Sequence, residues 1–232
     1  MTMRKIITAF LLTLFLLDGA VANASRENDT SAPDTVTASQ AFVNLPASRL
    51  ELLTPAMRLD LVDYYRADSI YSVKNAMEGL SHLIRPLTGN YLKVQITPVT
   101  TLTLKLLPLK KGGHILATSY TIGDSLQSAD SDLRFFSDKF KEIKRSKIIH
   151  DIRVEDFIDF KELKGSEKKD LLDYIPFPTV EYQFSPDNYT LTAILTAEGF
   201  LSKEAYEKMK PYLIPKRQYG WDGKKYKLVK ID

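Results

Sequence analysis

An α+β fold, arranged as two tandem halves that each run a helix into an antiparallel meander and pack as one body, is what this sequence predicts. Three observations carry the prediction. The run Asp60-Leu61-Val62-Asp63-Tyr64 returns as Asp170-Leu171-Leu172-Asp173-Tyr174. Each copy precedes stretches in which apolar and polar residues alternate: 92–97 and 101–107 after the first, 180–184 and 190–192 after the second. Between each pair of stretches stands a proline, Pro98 or Pro186, where a strand ladder must be interrupted to turn. The same order of features in both halves reads as an internal repeat.

Taken from the N-terminus, Arg4 and Lys5 lead into an apolar run over 6–17, and Ala22-Asn23-Ala24 follows with Ser25 behind it. Positive start, apolar centre and small-x-small box are the parts of a cleavable secretory signal peptide, expected over 1–24. A dozen apolar residues fall short of the ~20 that a membrane-spanning helix needs, and no later stretch is long or apolar enough, so the mature chain is expected to have no transmembrane segment. Residues 25–40 are small and polar, with too little apolar surface to offset the entropy of ordering, and read as a flexible leader. Order is expected from Ala41-Phe42-Val43.

The first half is assigned to 41–147 and the second to 148–232. Leu59, Val62 and Tyr65 fall at helical spacing in the first Asp-Leu-x-Asp-Tyr copy. The first half is longer between helix and strand, which places an insertion within 66–86. Leu92, Val94 and Ile96 alternate with Lys93, Gln95 and Thr97, and Leu102, Leu104 and Leu106 with Thr103 and Lys105; these are half-buried strands. A further strand is expected over 114–121, and strand or hairpin character over 133–143. In the second half, Ser202 caps a helix over 202–213 that Pro215 follows. Asp222-Gly223 predicts a two-residue hairpin turn pairing Trp221 with Lys224 and Tyr219 with Tyr226.

Composition removes several chemistries. The chain has no cysteine, so disulfides, thiol nucleophiles and thiolate metal sites are absent. Basic and acidic residues nearly balance, 32 against 29, and a net charge of +3 gives no field to steer a polyanion; nucleic-acid binding is not expected. The lysines that gather toward the C-terminus read as a solvated hairpin face.

Gly123-Asp124-Ser125-Leu126 spells the nucleophile motif of the esterase family named for those letters, which raises a secreted serine hydrolase using Ser125 as the alternative reading. Nucleophilic serine needs a base, and the later histidine, His150, lacks the Asp-x-x-His context of that family. A turn set by Gly and Asp is the expected role. His82, His114 and His150 are scattered, no Gly-rich phosphate loop occurs, and neither a metal nor a cofactor is expected. Asp34-Thr35-Val36, Asp68-Ser69-Ile70 and Asp124-Ser125-Leu126 resemble the short acceptor pattern for O-glycosylation used by Bacteroidetes on exported proteins, with Thr35 in the leader the best placed. Tyr219, Trp221 and Tyr226, with Lys224, form a candidate binding patch, since clustered rings can hold sugars or partner chains. The competing and preferred reading packs those rings inward against the terminal helix.

The order Phe42-Val43-Asn44-Leu45-Pro46, Leu52-Leu53-Thr54, Arg58-Leu59-Asp60-Leu61-Val62-Asp63-Tyr64-Tyr65, the Ile96-Thr97-Pro98 core, and Ser185-Pro186 through Thr190-Leu191-Thr192 resembles a secreted Bacteroidales family of unknown function. The resemblance implies an envelope protein, in the periplasm or on the cell surface of a Gram-negative bacterium, with no catalytic residues to carry over. The expected function is a non-enzymatic module binding a protein or a glycan through a sheet face or a sheet edge.

Overall fold

The computed structural model describes residues 36–68, 71–123, 129–175 and 178–229. The fold is α+β, two halves that each place a helix before an antiparallel meander. In the first half, α1 (Ala38–Asn44) and α2 (Pro55–Arg66) precede seven strands: β1 (Val73–Lys74), β2 (Leu80–Thr88), β3 (Tyr91–Thr97), β4 (Thr100–Pro108), β5 (His114–Ile122), β6 (Asp130–Phe136) and β7 (Glu142–Ile143). They pair in sequence order as one sheet. In the second half, α3 (Gly165–Asp173) precedes β8 (Val180–Phe184), β9 (Thr190–Leu195), β10 (Lys216–Trp221) and β11 (Tyr226–Leu228), again a meander, with α4 (Lys203–Met209) between β9 and β10. No helix among the described residues is long and apolar enough to cross a membrane. The expected signal peptide, Thr35, Ser69 and the Asp124-Ser125-Leu126 motif lie outside the described residues.

The period-2 alternation decides which side of the first sheet meets what. Leu92, Val94, Ile96, Leu104 and Leu106 point to one side and are buried with Phe42, Leu53, Leu61 and Val62 of the helical segment. Leu107, Ile115, Ala117, Leu133 and Phe135 point to the other and are buried with Tyr182, Leu191, Tyr219 and Tyr226 of the second sheet. Helices, long sheet and short sheet thus stack as three layers, each sharing an apolar interface with the next. A smaller cluster, including Phe157's neighbour Ile158 with Leu171, Ile175 and Met209, fixes α3 and α4.

Three local details differ from the sequence expectation. The first helix begins at Ala38, inside the stretch expected to be a leader. Thr37 and Gln40 form a capping box there, Ala38 donates to the Gly89 carbonyl at 2.8 Å, and Ala38, Ala41 and Phe42 are buried. In α2, Leu59 faces outward, and the inward position goes to Arg58, which is fully buried. Its Nη1 donates to the Phe42 and Leu45 carbonyls at the C-terminal end of α1, where helical carbonyls lack partners. The hairpin of β10 and β11 pairs Trp221 with Tyr226 and Tyr219 with Leu228, so its loop holds four residues, 222–225. Asp222 sets that register: its Oδ1 accepts from the amides of Lys224 and Lys225 at 2.9 and 2.8 Å. Gly223 is required by the turn, at φ 88°, and by close approach, since a Cβ there would lie 2.6 Å from Cγ of Lys110.

The edge strand β8 looks open in sequence, yet side chains of the first sheet close it. Ser119 Oγ donates to the Tyr182 carbonyl at 2.9 Å, Tyr182 N–H donates to Ser131 Oγ at 3.2 Å, and Val180 N–H to Asp130 Oδ1 at 3.2 Å. Strand addition by a partner at those groups is therefore blocked.

A candidate pocket between the first helix and the long sheet

The helix-facing side of the first sheet is not covered evenly. Register across β4, β5 and β6 defines three rows on that side: Leu106, Leu116 and Phe136; Leu104, Thr118 and Arg134; Leu102, Tyr120 and Asp132. The first row is apolar throughout. The next two turn polar on β5 and β6, where helix packing gives way to an open depression. Leu45 at the end of α1 and the single 3-10 turn Ala47–Arg49 form its opposite wall. The result is a cavity of about 220 Å³ lined by Leu45, Ser48, Arg49, Leu102, Thr118, Tyr120, Asp132, Arg134 and Phe136.

Its charges are arranged as a chain. Arg49 Nη2 lies 2.9 Å from Glu142 Oε2, Arg134 Nη1 lies 3.8 Å from the same oxygen, and Arg134 Nε donates to Asp132 Oδ2 at 2.6 Å. Two guanidinium groups face two carboxylates, leaving no net charge. Arg49 also lies 5.2 Å above the Phe136 ring centroid, which fixes the guanidinium plane at the rim. The hydroxyls of Ser48, Thr118 and Tyr120 make no hydrogen bond to another side chain or backbone group among the described residues. Burial pushes the Tyr120 phenol above its ordinary pKa, so it enters as a neutral donor and acceptor. Arg58, by holding the Leu45 carbonyl, ties the wall that carries Ser48 and Arg49 to α2.

The residues singled out by sequence fall elsewhere. Tyr219 and Tyr226 are core, 0% and 3% exposed, against the first sheet: Tyr226 meets Phe135 with ring centroids 6.4 Å apart. The rings therefore pack inward, but onto the long sheet and not onto the terminal helix. Burial drives both phenols well above the usual tyrosine range. Trp221 is half-buried and its Nε1 donates to the Pro108 carbonyl at 2.7 Å, while Lys224 is exposed. Of the expected patch, an indole edge and one ammonium are left at the surface. His150 sits in the linker between the sheets, with Nε2 3.4 Å from Asp156 Oδ2 and its ring 5.4 Å from that of Tyr219. The pocket lining contains no histidine. Among the described residues no group of three or more His, Asp or Glu is placed to hold a metal ion.

A second depression, of about 540 Å³, lies between Ile152–Glu155 and the end of α3, with Leu172, Ile175 and Pro178 in its wall. Its polar groups, Arg153, Glu155 and Asp173, are exposed and form no ion pair with one another. Convergent polar groups over an apolar floor are found at the first cavity, which is the candidate site.

Comparison with known proteins agrees with the fold and adds no activity. A family model described as a protein of unknown function, DUF3256, matches residues 33–226. No curated protein matches the chain. Among solved structures, a domain of an uncharacterized protein from Porphyromonas gingivalis W83 is similar, with a TM-score of 0.69 and 20% sequence identity, covering 82% of this chain and 96% of that one. At that identity the likeness extends to the fold alone.

Proposed function

The chain belongs to the DUF3256 family of proteins of unknown function, and from that premise we propose that it is an exported, non-enzymatic module of a Gram-negative envelope that binds a protein or glycan partner in the pocket beside α1. The observation that carries this reading is the contrast inside the pocket. Its ionic groups satisfy one another, while three hydroxyls and the edge of a sheet face are left uncommitted and reachable from solvent. Such an arrangement positions hydrogen bonds without activating a nucleophile, because no histidine lines the pocket and its one carboxylate, Asp132, is committed to Arg134. Export is supported by the order Arg4-Lys5, apolar 6–17 and Ala22-Asn23-Ala24. The shared order of helix, strand, proline turn and strand in the two halves supports a duplicated unit.

The test is site-specific photo-crosslinking in cells of the source, with a photoreactive residue in place of Tyr120 and, as control, in place of the exposed Met77. A discrete adduct at position 120 that is absent at 77 and is lost in the Arg134→Ala background is the expected result. Equal labelling at both positions removes the pocket as the site. Fractionation of a C-terminally tagged chain checks export in the same cells, and retention in the cytoplasm with 1–24 uncleaved overturns that part.

A further inference from the structure

Resting on the reading that this pocket is the binding site, we infer that its ligand is a neutral pyranose unit of a glycan. Four features of the site select that chemistry. The first is charge: Arg49 and Arg134 are already matched by Glu142 and Asp132, so an anion entering the pocket has to displace a carboxylate, and a cation has to displace a guanidinium. A neutral polar ligand enters with the network intact.

The second is hydrogen-bonding type. A sugar hydroxyl both donates and accepts, and the pocket offers groups of both kinds within one small space. Arg49 and Arg134 keep guanidinium donors beyond those used in the chain of ion pairs. Asp132 keeps its second carboxylate oxygen as acceptor. Ser48, Thr118 and Tyr120 supply hydroxyls that can adopt either role. Adjacent hydroxyls on a ring can bridge an Asp132–Arg134 pair, donating to the carboxylate while accepting from the guanidinium.

The third is the apolar surface. Leu45, Leu102 and the Tyr120 ring lie beside these groups and match the C–H face that a pyranose presents opposite its hydroxyl edge. The fourth is size. At about 220 Å³ the cavity falls below the roughly 300 Å³ where pockets for drug-sized ligands and cofactors begin. One ring fits; a nucleotide does not. The open rim lets the rest of a chain leave toward solvent.

The test is a titration of the full exported chain, isotope-labelled and followed by amide NMR shifts, with N-acetylglucosamine, galactose and mannose as neutral probes. Glucuronate, inorganic phosphate and an acetylated lysine tripeptide are the competing probes. At least one neutral sugar is expected to move the amides of Ser48, Thr118, Tyr120 and Arg134 with a Kd of about 1–10 mM, the range of a few hydrogen bonds and one small apolar contact. That affinity is expected to hold between low and high salt, because no net charge is exchanged. Tyr120→Phe and Thr118→Val, which keep the shape of the site, are each expected to weaken binding about threefold to tenfold by removing a single hydroxyl.

Shifts at these amides with glucuronate, phosphate or the tripeptide but with no neutral sugar overturn the ligand class and keep the pocket as the site. No shift with any sugar, together with a crosslinked protein at position 120, also overturns the ligand class and leaves the binding reading standing. No shift and no crosslink remove both. A sugar affinity left unchanged in both hydroxyl variants overturns the assignment of the ligand to these groups.

Discussion

The two sides of the seven-stranded sheet are built from the same strands and end in opposite conditions. Toward the second sheet, every polar residue on β5 and β6 is engaged: Ser119 and Ser131 bond the main chain of β8, and Thr121 lies 2.8 Å from Ser131 Oγ, while Asp130, on the other side by alternation, reaches the Val180 amide from the start of β6. Lys105 joins this side as well. It is 1% exposed, donates to Asn90 Oδ1 at 3.0 Å and to the Pro186 carbonyl at 3.2 Å, and lies 5.3 Å from the ring centroid of Tyr189 at the turn of the second sheet. Toward the helices, the matching positions on the same strands, Thr118, Tyr120 and Arg134, line open space. A polar residue in a strand is thus an adhesive where another layer lies over it and a binding group where none does. Coverage, and not residue type, separates the two roles.

The sharpest way to break this comparison is to remove an aromatic ring from each side. Phe135 faces the second sheet and is completely buried; Phe136, its neighbour, faces the helices at the edge of the pocket. Phe135→Ala is expected to lower the unfolding free energy by about 3–5 kcal/mol, the cost of a cavity between two layers that cannot collapse. Phe136→Ala is expected to cost about 1–2 kcal/mol less, because the cavity it leaves joins one already open to water. Urea denaturation of the two variants measures both, and equal losses mean that the helix side is as tightly closed as the other.

Lys105 gives the next largest effect, read through pH. Burial holds its ammonium down to about 8, against an ordinary value of 10.5, despite the nearby Asp187 carboxylate. The unfolded chain therefore binds the proton more tightly than the folded one, and stability contributed by this group rises as pH climbs from about 8 to about 10.5, with no slope below that window. The rise is of order 2–3 kcal/mol. Tyr91, Tyr182, Tyr219 and Tyr226 act in the opposite sense, since burial raises their phenols and ionisation of the unfolded chain favours unfolding from about pH 10. The measurement is accordingly a difference: wild type minus Lys105→Met, by urea titration at pH 7, 8, 9 and 10. A difference that is flat from 7 to 10 contradicts a buried lysine at the joint between the sheets.

Much of the joint was legible in the sequence, and the pocket was not. Leu92, Val94, Ile96, Leu102, Leu104 and Leu106 announce two strands because each polar neighbour falls at odd spacing, and Pro98 and Pro186 mark the turns where the chain does turn. Ser202 caps α4 as its position suggests. The pocket escaped because Thr118, Tyr120, Asp132 and Arg134 follow the same alternation, and an alternating polar face reads as ordinary solvated strand until the layer above it is known. Arg58 escaped for a related reason: a long cation on a helix reads as exposed, and its carbonyl partners lie 16 and 13 residues away. The register of the last hairpin escaped because Asp-Gly favours a two-residue loop, whereas the Asp222 carboxylate binds two amides and widens it. For Arg58 and Asp222 the deciding contact is made by a side chain to a backbone group, and for the pocket it is the layer above the strands that decides; periodicity encodes neither.

The smallest expected effect tests the central contrast most directly. Ser131 and Thr118 sit on adjacent strands, on opposite sides of one sheet, and each carries a single hydroxyl. Ser131→Ala removes the acceptor for the Tyr182 amide and the partner of Thr121, leaving a main-chain donor without its bond between two layers, and is expected to cost about 1–2 kcal/mol. Thr118→Val replaces a hydroxyl that bonds no group among the described residues by a methyl of the same shape, and is expected to change stability by no more than about 0.5 kcal/mol in either direction. The two variants differ in thermal midpoint in the same sense, and amide exchange at Tyr182 is expected to quicken in Ser131→Ala alone. If Thr118→Val is instead as costly as Ser131→Ala, the Thr118 hydroxyl has a partner within the fold, and the wall of the pocket is structural where the contrast between the two sides makes it free.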